Sequence, residues 1–192
     1  MAETGSGTYA ACFTLYIYIY LYIFFYKRSE RMAIEIERKY LVHQELLPRL
    51  EDGTRMIQGY ISMQPSIRFR VIEQDVIITI KNLQKDGSRF EFETIKREVS
   101  LAEQEQLFEL ALFPSIEKVR YRHPYLGLVW EIDVYQRENL GLITADVELP
   151  SFDYNIKFPR WINAQREITQ DSQYFNVNLG QKPYTKWRST DE

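Results

Sequence analysis

From Met32 onward, apolar and polar side chains alternate with a period of two in segment after segment, and short runs of turn residues separate the segments. That is the pattern of half-buried antiparallel strands. It predicts strands over 33–41, 56–62, 67–73, 75–82, 89–98, 116–122, 128–135 and 142–149. Asp86-Gly87 reads as a hairpin turn, and His123-Pro124 with Gly127 and Glu138-Asn139 with Gly141 mark two more. Helical periodicity is strongest over Ser100–Phe113, which opens on a Ser-x-x-Glu capping box, Ser100 with Glu103. Leu101, Phe108 and Leu112 fall near one face of that helix and should pack on the sheet. Shorter helices are expected near 44–50 and 169–179, the latter stopped by Gly180, and the polar tail after Pro183 should be loose.

Side chains two apart on a strand point the same way, so each segment sorts into two faces. In the first strand Glu35, Glu37 and Lys39 oppose Ile34, Ile36 and Arg38. Later strands group Arg68 with Arg70, Thr79 with Lys81, Arg89 with Glu91 and Glu93, and Lys118 with Arg120 and Arg122. Glu131 shares a face with Asp133, and Asp146 shares one with Glu148. For any one strand, a charged face meeting water is sufficient explanation. Taken together the strands resist it, because like charges two residues apart sit within roughly 7 Å and repel unless a counter-ion or ligand joins them. A mainly β fold closed into an antiparallel eight-stranded barrel, with a few flanking helices, would remove the exposed edges and turn the charged face inward as a tunnel. Burying so many charges is costly unless they are paired, hydrated or coordinated. A multi-anionic phosphate chain with divalent cations satisfies both signs: Arg and Lys grip phosphate oxygens, and carboxylates hold Mg²⁺ or Mn²⁺.

Composition narrows the chemistry further. Across 192 residues, 27 acidic side chains face 24 basic ones for a net charge of −3, so no polybasic surface advertises nucleic acid. The single cysteine, Cys12, forms no internal disulfide and excludes thiolate zinc sites, while His43 and His123 lie far apart. Any metal is therefore held mainly by carboxylates. Neither a P-loop nor a dinucleotide-binding glycine fingerprint is present, and no Ser or Cys sits in a nucleophile pattern. The aromatic run Phe13–Tyr26, at 14 residues, is short of the roughly 20 that cross a bilayer as a helix. Residues 1–31 are expected to be an extension outside the domain, with translation starting at Met32, no membrane association and a cytoplasmic location. The domain itself should span 32–183, with 184–192 as its tail.

Glu35-Ile36-Glu37-Arg38-Lys39 matches a Glu-x-Glu-x-Lys signature, and QGYIS (58–62), IRFR ending at Arg70, TIK ending at Lys81, RFEFE, EKVRY, WEIDVY, GLITADVEL and PRWINAQREIT follow it in order. The chain from Met32 to about Pro183 thereby resembles the CYTH proteins, or triphosphate tunnel metalloenzymes. The resemblance implies metal-dependent cleavage of a small-molecule triphosphate, most simply inorganic tripolyphosphate to pyrophosphate and phosphate. Adenylate cyclisation, thiamine triphosphate hydrolysis and non-catalytic polyphosphate or nucleotide binding stand as alternatives. It also implies that Lys39, Arg68, Arg70, Lys81, Arg89, Lys118 and Arg120 bind the triphosphate, with Glu37, Lys39, Arg70 and Lys118 catalytic. Glu35, Glu37 and Glu148 are the first metal ligands it suggests, then Asp133 and Asp146, with Glu91 and Glu93 serving a second metal or orienting the cations. The chain departs from the family pattern at Gln173, where an arginine is usual, at Trp161-Ile162-Asn163, which replaces Trp-x-Gly, and at Asp146, which replaces a glutamate; Glu98 is an alternative to Glu91 or Glu93.

Overall fold

The computed structural model describes residues 36–83 and 89–187. Glu35, the run Phe13–Tyr26, the start at Met32 and the Asp86-Gly87 turn lie outside the described residues. Nine strands form one antiparallel sheet: β1 (Ile36–Val42), β2 (Thr54–Met63), β3 (Ser66–Ile72), β4 (Asp75–Leu83), β5 (Arg89–Lys96), β6 (Ile116–Tyr125), β7 (Leu128–Tyr135), β8 (Ile143–Leu149) and β9 (Ile162–Glu167). Their order is β5-β4-β3-β2-β6-β7-β8-β1-β9. The expected count of eight is short by β9, which lacks alternation and pairs only with β1, through Tyr40 with Glu167 and Val42 with Ile162. Among the described residues the ladder has two ends, β5 and β9, and no strand pairing joins them.

The turn expected at His123-Pro124 falls later. β6 runs through Tyr125, and the reversal is made by Leu126 and Gly127, both at positive φ, the conformation that a two-residue hairpin requires. The apolar face of the sheet is covered in two places. Tyr40, Trp130, Ile132 and Val147 pack beneath the segment carrying Ile156, Phe158 and Trp161. Ile57, Phe69, Val71 and Val76 pack beneath α1 (Leu101–Glu109), through Leu107 and Phe108. The capping box forms as expected: Ser100 Oγ accepts from the Glu103 N–H, and Glu103 Oε2 accepts from the Ser100 N–H. The predicted apolar face of α1 holds in part: Phe108 packs on the sheet, but Leu101 is exposed, and Leu112, also exposed, lies beyond the helix, which ends at Glu109 and not at Phe113. The side chain that α1 buries is Gln104, whose amide donates to the carbonyls of Val99 and Glu73.

A third cluster, Ile116, Tyr135, Leu142, Ile168, Tyr174 and Leu179, seats the C-terminal segment against one end of the sheet. There the expected helix over 169–179 is instead a 3₁₀ turn (Ser172–Tyr174) followed by α2 (Asn176–Gln181), and the segment predicted at 44–50 forms only the 3₁₀ turn Gln44–Leu46. The chain after Pro183 is not loose as far as Trp187, whose indole donates to the Lys182 carbonyl and packs edge-on to Tyr174 and Tyr184. No helix of the described residues is long and apolar enough to cross a membrane.

Candidate active site

Opposite these apolar clusters, the charged face becomes the wall of a trough, while Phe90, Phe92 and Ile95 of β5 stay exposed. Glu37 and Lys39 of β1, Gln58 of β2, Arg68 and Arg70 of β3, Lys118 and Arg120 of β6, Asp146 of β8 and Asn176 of α2 line one cavity of about 200 Å³. β1 and β3 stand five places apart in the strand order, so the sheet is rolled enough for its flanks to face one space. Cross-strand register sets the charges beside one another: Lys39 opposite Asp146, Arg120 opposite Asp133, Arg122 opposite Glu131 and Glu37 opposite Glu148.

Buried ion pairs form the floor. Asp133 is fully buried and receives Lys118 Nζ on Oδ2 and the Arg120 guanidinium as a fork, Nε to Oδ1 at 2.7 Å and Nη2 to Oδ2 at 2.7 Å. Arg120 also contacts Glu131 through Nη1 and Asp146 at 3.3 Å. Lys39 Nζ donates to Asp146 Oδ2 at 2.9 Å; Asp146 Oδ1 lies 2.8 Å from the same ammonium but out of hydrogen-bond alignment. Burial would push the Asp133 carboxyl up, yet Lys118 and Arg120 outweigh it and hold it down at about 2. Burial likewise acts against the Lys39 and Arg120 cations, but Tyr135 and Asp146 beside Lys39, and Asp133 and Glu131 beside Arg120, raise both. Lys118 goes the other way, lowered first by burial and then by its cationic neighbours Arg120 and Lys39, against the pull of Asp133.

Two cations have no such partner. Among the described residues no carboxylate lies within salt-bridge distance of Arg68 or Arg70. Arg68 donates through Nη2 to Thr79 Oγ1 at 3.2 Å and leaves a buried Nε unpartnered. Burial lowers the pKa of Arg70, and Arg68 and Arg120 beside it lower it further. Both guanidiniums therefore face the cavity with no carboxylate in direct contact, Glu93 acting on Arg70 from farther off and reaching Arg68 through Thr79. On the carboxylate side, solvent reaches Glu37, yet the trough walls strip part of its hydration and, with Asp146 alongside, raise its pKa. Glu37, Asp146 and Glu131 also line a wider cavity of about 420 Å³ with the exposed Glu148 and Arg122, toward the 126–127 turn.

The remaining predicted residues stand apart from the 200 Å³ cavity. Lys81 pairs with Glu91 at 2.8 Å, and Glu93 accepts from Thr79 Oγ1 at 3.1 Å, both on the β4–β5 flank. Arg89 starts β5 by its backbone, and its side chain lies outside what is described. Sequence reasoning missed Glu131 as the partner of Arg120 and Arg122, although its face had been sorted correctly. Gln58 and Asn176 carry no charge and sit in no like-sign pair; Asn176 is legible only as a retained position of the DSQYFN segment, which resembles the family's Asp-x-Arg-Tyr-x-Asn pattern, and neither residue has a role assigned from sequence. Gln173, where the pattern expects arginine, is exposed.

No group of three or more His, Cys, Asp or Glu side chains among the described residues is arranged to hold a metal ion by itself. Glu37, Asp146 and Glu148 nevertheless suit a hard divalent cation: all offer oxygen, Asp146 keeps one buried oxygen without an aligned donor, and the Glu37–Asp146 repulsion would be relieved by positive charge. Mg²⁺ is commonly held by only one or two carboxylates together with substrate phosphates, so a small protein set matches that use.

The inorganic triphosphatase of Acetivibrio thermocellus is 36% identical over 160 residues, covering 82% of this chain and 99% of that protein. The crystal structure of the inorganic triphosphatase NE1496 superposes with a TM-score of 0.61 at 27% identity, covering 78% of this chain and 96% of that one. Residues 33–184 match the CYTH domain, and the chain belongs to the CYTH domain family.

Proposed function

We propose that the protein is a triphosphatase that hydrolyses a terminal phosphoanhydride, with tripolyphosphate as the substrate and pyrophosphate and phosphate as products. The observation that carries this reading is the pair Arg68 and Arg70, two guanidiniums without a carboxylate partner among the described residues, sharing a cavity with Glu37 and Asp146. In this reading the arginines hold the non-bridging oxygens of the phosphate chain, and Lys39, Lys118 and Arg120 set the positive potential of the floor. Water forms the new P–O bond at the terminal phosphorus as the bridging P–O bond breaks; one of its protons stays on the released phosphate and the other passes to the leaving pyrophosphate oxygen or to solvent. Charge that grows on the leaving oxygens meets donors already in place, so little reorganisation is needed. Glu37 and Asp146, with Glu148 and Glu35, would hold Mg²⁺ or Mn²⁺, which supplies charge neutralisation of the phosphate oxygens and acidifies water. Asp133, with both oxygens engaged by Lys118 and Arg120, acts as their positioning residue and not as a metal ligand. Glu91 likewise orients Lys81. The rolled sheet would enclose the bound chain as a tunnel, its wall between β5 and β9 made by side chains and not by a backbone ladder. A chain without internal disulfides suits work in the cytoplasm.

Purified protein should release phosphate from tripolyphosphate in Mg²⁺ or Mn²⁺, faster than from ATP or thiamine triphosphate. Absence of turnover with all three would remove the enzymatic reading. Appearance of cyclic AMP with pyrophosphate from ATP would assign cyclisation instead. Relatives named as inorganic triphosphatases support the first outcome.

A further inference from the structure

Tyr135 ends β7 fully buried, yet its hydroxyl is not idle: it donates to Asn176 Oδ1 at 3.3 Å. Asn176 lies at the boundary of the 200 Å³ cavity and a neighbouring one of about 350 Å³ lined by Tyr60, Thr169, Tyr174 and Phe175. Five cations line the first cavity: Lys39, Arg68, Arg70, Lys118 and Arg120. A free amide beside them would turn its carbonyl toward the positive charge. Tyr135 holds the carbonyl instead, which leaves Asn176 Nδ2 without a partner among the described residues. An amide nitrogen carries two donors and no acceptor, so this orientation turns hydrogen-bonding capacity suited to an anion toward the cavity. The phenol is a constant donor. Burial pushes Tyr135 up to about 12 even though Lys39 pulls the other way, so its proton is present throughout the physiological range.

We propose that Asn176 contacts the substrate, donating a side-chain N–H to a non-bridging phosphate oxygen, and that the Tyr135 hydroxyl is the positioning residue that fixes it in the donating orientation. The proposal rests on the triphosphate reading above. It adds a neutral, directional donor to a site otherwise built of charges. The fold supports a fixed geometry: α2 is pinned by Leu179, fully buried in the cluster that includes Tyr135, and by Asn139 Nδ2 donating to the Leu179 carbonyl at 3.4 Å. Tyr135→Phe keeps that packing and removes only the hydroxyl.

Metal-free calorimetry with tripolyphosphate, alongside kcat and KM in Mg²⁺, tests it. Tyr135→Phe should weaken binding and raise KM about 5- to 10-fold, with kcat within about 2-fold and the thermal midpoint within about 2 °C. Asn176→Ala should weaken binding about 10-fold, and Asn176→Asp about 100-fold, because a carboxylate there repels phosphate. In the double variant Tyr135→Phe/Asn176→Ala, the tyrosine change should add nothing, since it acts through the amide. Wild-type affinity in either single variant, multiplicative losses in the double variant, or a fall in thermal midpoint without a change in affinity would each overturn the proposal. If the wild-type protein binds no tripolyphosphate, the triphosphatase reading falls and this inference with it. If the wild type binds and the variants bind alike, only this inference falls.

Discussion

Glu37 and Asp133 show how two carboxylates in one trough take opposite characters. Glu37 has burial and Asp146 against it, so its ionised form is disfavoured in the fold. That destabilisation is present above the folded pKa and relieved as pH falls through it. Glu37→Gln should therefore leave the metal-free thermal midpoint unchanged or higher, while metal-dependent turnover of tripolyphosphate falls at least about 100-fold. A lower midpoint with intact turnover would make its role structural. Asp133 is held down by Lys118 and Arg120 despite burial, to about 2. Its stabilisation is fully present above the ordinary carboxylate pKa of about 4 and is lost as pH falls toward 2. Asp133→Asn leaves the buried Lys118 ammonium without its carboxylate and removes the fork on Arg120, and should cost about 3–5 kcal/mol in urea denaturation at pH 7. The deficit should shrink by pH 3, and a deficit that does not would locate the loss elsewhere. At this scale the sequence was informative because strand parity is strict: Glu37 with Lys39, Arg68 with Arg70 and Lys118 with Arg120 line one cavity in the pairs assigned to them. The roles were less legible, because Asp133 and Asp146 look alike in sequence and differ only in how many of their oxygens cation neighbours already occupy.

The strands β1 to β8 follow the predicted segments within a few residues, since alternation over five or more positions leaves one register that buries the apolar face. β9 escaped because INAQRE is almost wholly polar, and its pairing with β1 depends on a neighbour that only the fold supplies. The face of α1 is legible only in part, through Phe108, for a related reason. Periodicity weighed its leucines, while the helix uses Gln104 to satisfy two loop carbonyls and lays only Leu107 and Phe108 on the sheet. Within β2, Gly59 is a close-approach position: a Cβ there would stand 2.2 Å from Phe69 Cζ and 2.9 Å from Ser115 Oγ. Because Phe69 is fully buried and cannot withdraw, Gly59→Ala should cost about 1–3 kcal/mol, read as a lower urea midpoint with an unchanged slope. A neutral result would mean that β2 and β3 separate more easily than their packing implies.

For the molecule as a whole, the sequence carried the inward turn of the charged face but not the open ladder, because closure depends on a strand without a sequence signature and on the curvature that β1 to β9 accumulate together. The two ligands of the proposed reaction should act jointly. The Mg²⁺–tripolyphosphate complex, bound as one ligand at about 100 times its dissociation constant, should stabilise the fold by about 2.7 kcal/mol, a rise of roughly 5–10 °C in thermal midpoint. Mg²⁺ alone should do much less, because the described carboxylates form no complete cage. An equal shift with Mg²⁺ alone would point to a protein-only metal site.

The shared carboxylates of the floor also govern how the trough fills. Lys39, Lys118 and Arg120 carry counter-ions built into the chain, so they shed few dissolved ions when substrate arrives; Arg68 and Arg70 are the ones left for mobile anions of the buffer. Affinity should thus decline with added chloride as though about two sites were exchanging ions, and not five, which would let the enzyme keep its grip on polyphosphate across a broad span of ionic strength.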